Sequence, residues 1–278
     1  MNPPRSMAGR SALVTGGGYN IGRAVALELA AQGARVTVFG RRRALLDEAV
    51  AQIEARGGDA LAVAGDVTVY ADCELAVAAA TERFGAVDAL AAIAGGSGAE
   101  QPVDEVDPLA WARVVEVNLT GTFHAIRAVL PQMKARGSGA IVTTCGGGSW
   151  FPVVGAHATA YAAAKAGVCR LTDQLAVELM GDGVRVNCLE PGQVWGPEKL
   201  RQVEEEERRA GAEDPGRACN HPPEDAAELA AFLLSDASAP LTGRIASVDE
   251  DWWRDPAQVR AVSQSLHAYC LRRADGPP

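Results

Sequence analysis

Short apolar runs punctuate the chain from residue 11 to residue 249: SALVTG, ARVTVFG, ALAVAGDV, DALAAIAG, GAIVTTC, VRVNCLEPG and GRIASVD. Each is continuous rather than alternating, the pattern of a strand buried on both faces of a parallel sheet. Longer segments with helical periodicity lie between them, near residues 21–32, 43–56, 70–84, 108–135, 158–181 and 224–235. The alternation predicts right-handed βαβ crossovers and an α/β fold: a Rossmann-like, three-layer, doubly wound parallel sheet of about seven strands.

Two stretches break the rhythm. Residues 192–222 are polar and rich in Gly, Pro and charge. They form either a solvated surface helix around Glu204, Glu205, Glu206 and Glu207, or a lid, since long connections in compact domains are often functional. The tail from Asp255 to Arg273 places Val259, Val262, Leu266, Tyr269 and Cys270 at helical spacing. Such a face packs either on its own core or on a neighbouring subunit.

The length of 278 residues suits one large domain, with a core over about 8–250 and a C-terminal helical extension over about 251–278. Aromatics make up 5% and there are 30 glycines, which fits a sheet wrapped by Ala-rich helices. A formal net charge of −9 argues against a nucleic-acid partner, which needs a basic face, and favours a small-molecule substrate. The six cysteines show no C-x-x-C or finger-like spacing and read as reduced, mostly buried thiols. No metal site is expected, because His124, His157, His221 and His267 share no ligating spacing either. The opening MNPPRSM has no secretory apolar region and no run reaches membrane-spanning length, so a cytoplasmic protein is expected.

Candidate chemistry begins after the first strand, where Gly16, Gly17, Gly18 and Gly22 lead into a helix starting near Ile21. This arrangement lets backbone approach a pyrophosphate and aims helix N-terminal amides at it. The strict G-x-G-x-x-G spacing fails, since Ile21 occupies the sixth position. The second strand ends VTVFGRRR, with Gly40 where an NAD site would place a carboxylate for the ribose 2′-hydroxyl. Arg41 and Arg42 instead suit a 2′-phosphate, so NADP(H) is favoured over the alternative NAD(H). The bland alternative is that these arginines only begin the next helix in solvent. Farther on, AYAAAKAG sets Tyr161 and Lys165 one helical turn apart, where an ammonium and a cationic nicotinamide would draw the phenol pKa down toward catalytic range.

The segment TGGGYNIG resembles the T-G-x-x-x-G-x-G loop of the short-chain dehydrogenase/reductase family, with Asn20 in place of the second glycine. Asn tolerates left-handed backbone, so the turn is expected to survive. The resemblance spans about residues 8–250. It implies cofactor contacts from Gly16, Gly18, Asn20, Ile21 and Gly22, from the adenine-facing pair Asp66 and Val67, from Ala94 and Gly95, and from Pro191, Gly192 and Val194 of EPGQV. It also implies that Tyr161 and Lys165 both hold cofactor and act in catalysis, with Asn118 anchoring a proton-relay water.

Three departures stand out. The family serine aligns with Gly148 when counted from Tyr161, or with Gly146 when anchored on IVTTC. Ser149, Thr144 and Cys145 remain as donors, and Ser149 is nearest in spacing. Ala92 and Ile93 replace paired asparagines, and Gly196 replaces a hydroxyl residue beside the nicotinamide. His157, four residues before Tyr161, could see substrate. Trp150 and Phe151 form either an apolar wall of the carbonyl pocket or core packing, and Trp252 and Trp253 replace a glycine-rich ending.

The expected function is an NADP(H)-dependent oxidoreductase interconverting a carbonyl and a secondary alcohol on a small or medium-sized organic substrate. The alternatives are a redox-neutral dehydratase, isomerase or cyclase on the same fold, or a non-catalytic dinucleotide-binding protein. The resemblance also implies a homodimer or homotetramer built through residues 108–135 and 158–181.

Overall fold

A computed structural model describes residues 6–98, 100–146, 148–149, 152 and 157–271. Seven strands, β1 (Ser11–Thr15), β2 (Arg35–Gly40), β3 (Asp59–Ala64), β4 (Ala89–Ala92), β5 (Gly139–Thr144), β6 (Val184–Glu190) and β7 (Ile245–Ser247), form one sheet in the order β3-β2-β1-β4-β5-β6-β7. Every pairing is parallel. All seven apolar runs thus become strands of a Rossmann-like fold, and the chain is one domain of the predicted class.

The helices are α1 (Asn20–Ala31), α2 (Arg43–Glu54), α3 (Tyr70–Phe84), α4 (Pro108–Val115), α5 (Gly121–Arg136), α6 (Thr159–Glu178), α7 (Pro197–Ala210), α8 (Pro223–Leu234) and α9 (Pro256–Gln264). Alternate strand residues feed two apolar layers. Ala12, Val14, Ala89, Ala91, Ala140 and Val142 pack towards α1 and α8, while Leu13, Leu90 and Ile141 pack towards α3 and α5. Ala226, Ala227, Ala230 and Ala231 on α8 and Ala24 and Ala26 on α1 are buried in the same layer, and their small side chains suit the close contact of the two helices.

Three expectations are refined. The helix expected over 108–135 is present, and a π turn at Glu116–Thr120 in continuous right-handed helical backbone joins α4 to α5. The polar excursion at 192–222 contains α7, with Glu204 to Glu207 on it. The tail packs on its own core: Val259, Val262, Trp252 and Trp253 join the α1–α8 layer. Its helix, however, stops at Gln264 rather than running to Arg273. The nearly buried Arg244 explains the stop, since its guanidinium donates to the carbonyls of Ser263, Ser265 and Ala268, and Ile245 N donates to Tyr269 O along the outer edge of β7.

Candidate active site

The strand order reverses between β1 and β4, and a cleft opens there at the carboxyl ends of the strands, where open α/β sheets bind ligands. Its lining includes Gly16, Gly18, Asn20, Ile21, Gly22, Arg41, Arg42, Asp66, Val67, Ala94 and Gly95. Every expected cofactor residue in the first third of the chain therefore faces one space. Tyr19, Leu45, Leu46 and Val117 join them without having been foreseen. Tyr19 lies inside the glycine loop and could have been read from it; Leu45, Leu46 and Val117 carried no signal beyond helical apolarity.

The floor of the cleft depends on missing side chains. A Cβ on Gly22 would come within 2.2 Å of Gly16 O, and one on Gly17 within 2.9 Å of Val38. Asn20 holds φ +43° as the first residue of α1, so it performs the left-handed turn its family counterpart leaves to glycine. The first turn of α1 carries no side-chain cap, which leaves its backbone amides as donors at the cleft. The cradle fits a dinucleotide pyrophosphate.

Arg41 and Arg42 stand exposed at the far end, and neither forms an ion pair among the described residues. Arg43 differs, pairing with Asp47 one turn on. The Arg42 guanidinium lies 4.7 Å from the centroid of the Tyr19 ring, a cation–π placement. Asp66 accepts from the backbone and hydroxyl of Thr68 and pairs with Arg113. Partial burial alone would raise its carboxyl pKa; those bonds, Arg113 and Arg41 outweigh it and leave the group below its usual range.

The second half of the site is built on β5, α6 and the π turn. Lys165, 3% exposed, donates to Thr144 O at 2.8 Å, and its Nζ lies 5.6 Å from the Tyr161 ring centroid. Asn118, fully buried in the π turn, donates through Nδ2 to Gly96 O and Val114 O, while its Oδ1 accepts from Gly96 N. Its side chain is thus committed to fixing the loop after β4. A Cβ on Gly95 would lie 2.5 Å from Asn118 Oδ1 and 3.2 Å from Lys165 Nζ, so cleft, π turn and α6 converge at that glycine. Thr15 Oγ1 braces the same loop by accepting from Ile93 N and Ala94 N, the task left by the absent paired asparagines.

Burial pushes the Tyr161 phenol up to about 12, with Cys145 adding to the rise, and burial lowers Lys165. The Lys165 ammonium is close to the ring, and burial is the largest influence on the phenol.

Ser149 is buried, yet its Oγ donates back to Gly146 O at 2.5 Å and accepts from Gly146 N at 3.1 Å. A Cβ on Gly146 would fall 2.6 Å from the Tyr161 hydroxyl, so the tyrosine tip fills the space a side chain there would need. Thr144 Oγ1 is buried and has no hydrogen-bond partner among the described residues. Trp150 and Phe151 lie outside the described residues. His157 is exposed.

Pro191, Gly192 and Val194 follow β6, apart from the cleft lining. Gly192 has φ +63° and its missing side chain admits the His221 ring, whose nitrogens face Asp225 and Asp249. Gln193 and Asn220 form a bridge and Trp195 N donates to Asn220 Oδ1, which closes the base of the excursion carrying α7. At the other end Glu198 accepts from the Tyr19 hydroxyl, so α7 is tied to the glycine loop.

Sequence spacing missed a further cluster. Cys145, Cys169 and Cys188 are buried together behind Lys165. Cys145 directly follows β5, Cys188 lies within the neighbouring β6 and Cys169 lies one turn beyond Lys165, a proximity that only strand order reveals. Burial pushes the Cys145 thiol up; for Cys188 bonds from Cys145, Cys169 and Thr143 together with Lys165 overcome burial and draw it down.

Among the described residues no helix is long and apolar enough to cross a membrane. The short chain dehydrogenase profile matches residues 10–207. The chain is 34% identical to levodione reductase of Leifsonia aquatica, over 89% of this chain and 96% of that one. It is 38% identical to cis-4-hydroxycyclohexanecarboxylate dehydrogenase of Sinomonas cyclohexanicum, over 88% and 96%. The solved actinorhodin polyketide ketoreductase with NADPH superposes with a TM-score of 0.77 at 32% identity, covering 86% of this chain and 95% of that one. Cleft, π turn, Tyr161 with Lys165 and these likenesses coincide over the same residues: the chain belongs to the short-chain dehydrogenase/reductase family, whose members bind nicotinamide dinucleotides.

Proposed function

We propose that the protein is an NADP(H)-dependent oxidoreductase that interconverts a carbonyl and a secondary alcohol on a small or medium-sized organic substrate in the cytoplasm. The observation that carries this reading is the convergence of the glycine cradle, Asn118, Lys165 and Tyr161 at Gly95. The names of the relatives, a reductase and a hydroxycyclohexanecarboxylate dehydrogenase, favour a secondary alcohol on a carbocycle as the first substrates to try.

Bound nicotinamide would supply or accept the hydride. The chain's own part is positional and protic. The amides of the α1 first turn and the Gly16–Gly22 loop hold the pyrophosphate, and Arg41 and Arg42 hold the 2′-phosphate with charge-assisted bonds. Lys165 is anchored by Thr144 O, which fixes its ammonium next to Tyr161. Tyr161 Oη passes the proton to or from the substrate oxygen, with Lys165 beside its ring; an oxidised nicotinamide held here would add positive charge that opposes the burial raising the phenol to about 12. Asn118 acts by holding the Gly95–Gly96 loop. The donor to the carbonyl is Ser149, whose Oγ is held at Gly146, the residue that faces the Tyr161 hydroxyl.

The experiment is turnover of an alcohol and ketone panel, including cyclohexanol and 4-hydroxycyclohexanecarboxylate, followed at the reduced-nicotinamide band. The wild type should change absorbance in step with product, and Tyr161→Phe should lose activity by about a hundredfold or more while binding NADPH as before. Product formation without any absorbance change would establish the redox-neutral reading, and unchanged turnover in Tyr161→Phe would remove the assigned proton carrier.

A further inference from the structure

The sulfurs of Cys145, Cys169 and Cys188 lie within 4.8 Å of one another, and the residues are 1%, 0% and 0% exposed. The proposed reaction uses none of them. Val168, Leu119, Ile245 and Leu271 pack against the group, and Thr143, Ser149 and Lys165 are its polar neighbours. No fourth His, Cys, Asp or Glu joins the cluster among the described residues.

We infer that this nest is a binding site for one soft monovalent metal ion, Cu(I), held by three thiolates. Geometry carries the argument first. With metal–sulfur bonds of about 2.3 Å, an ion at the centre of three sulfurs requires them to stand about 4 Å apart, within the observed spacing. Ligand chemistry then selects the ion. Thiolates prefer soft metals, and a set of three sulfurs with no oxygen ligand excludes Ca²⁺ and Mg²⁺, while structural Zn²⁺ takes four ligands. Each thiol gives up its proton as it ligates and no electron is transferred. Three thiolates and Cu(I) leave two negative charges, which the neighbouring Lys165, bonded to the residue before Cys145, partly offsets. The nest is buried, and its Cys145 precedes Gly146, whose missing side chain leaves room for the Tyr161 hydroxyl. The site does not depend on the proposed reaction.

The test uses the full chain carrying Cys219→Ser and Cys270→Ser, which removes the exposed and half-buried thiols. Reduced protein is titrated anaerobically with Cu(I) against a coloured copper chelator, and the product is examined by X-ray absorption. The expected result is one equivalent withheld from the chelator, with three sulfur ligands at about 2.3 Å. Adding Cys169→Ala and Cys188→Ala should weaken retention at least a hundredfold, in protein whose circular dichroism shows it folded. Copper left with the chelator, retained unchanged by the folded double-alanine protein, or bound through nitrogen or oxygen would overturn the site. Should the alanine protein not fold, stoichiometry and ligand count in the parent still decide.

Discussion

Burial sets the behaviour of single groups here more than formal charge does. Glu190 ends β6 with 9% of its surface exposed, and that burial pushes its carboxyl up to about 6; a bond from Ser247 opposes the rise, and Asp249 and Glu250 add to it. A folded pKa above the unfolded one means that the protonated side chain's contribution is complete below about 4.3 and is lost as pH climbs through 6. Glu190→Gln should therefore be more stable than the parent at pH 8, by about 2 kcal/mol, and equal to it near pH 4. Urea unfolding midpoints at the two pH values check this; a gain at low pH alone would reverse the sign. Burial likewise raises the phenol of Tyr161. Four-residue spacing revealed the proximity of ring and ammonium, but desolvation depends on what surrounds them, and sequence spacing carries none of that.

At the level of elements, the strands and the glycine loop were legible because their signals are local. The π turn was not, since one inserted residue between Pro108 and Arg136 leaves the apolar spacing of a continuous helix almost intact. The excursion at 192–222 gave a mixed signal: its charge runs read as solvated, which α7 bears out at Glu204 to Glu206, while its attachment to the glycine loop joins residues far apart in sequence. Glu207 binds Arg217, which holds its carboxyl down at about 2 and closes the far end of the excursion. Tyr19 is then the latch at the near end. Tyr19→Phe keeps a ring beneath Arg42 but removes the bond to Glu198, so native-state trypsin should cut after Lys199 or Arg201 roughly severalfold faster, because local opening governs such cleavage. An unchanged cutting rate would mean that α7 is held elsewhere.

For the whole molecule, fold class, family and the position of the cleft followed from the order of strands, loop and helix. The cysteine nest did not, because Cys145, Cys169 and Cys188 meet only once β5, β6 and α6 are side by side. The tail could not be assigned to a partner or to its own core from periodicity; Arg244, buried against its carbonyls, decides for the core. Assembly is proposed through α4, α5 and α6, whose region leaves Leu109, Phe123, Val177 and Met180 exposed. Sedimentation should give a dimer or tetramer at micromolar concentration, and a monomer would refute that interface. The account as a whole rests on the cleft holding a phosphorylated nicotinamide dinucleotide, and equilibrium titration with NADPH and NADH tests this most directly. NADPH should bind at least tenfold more tightly than NADH, with the difference lost in Arg41→Ala/Arg42→Ala, since charge-assisted bonds contribute roughly 1.5–3 kcal/mol each. Binding of neither coenzyme, or equal binding that the two arginines do not affect, would contradict it.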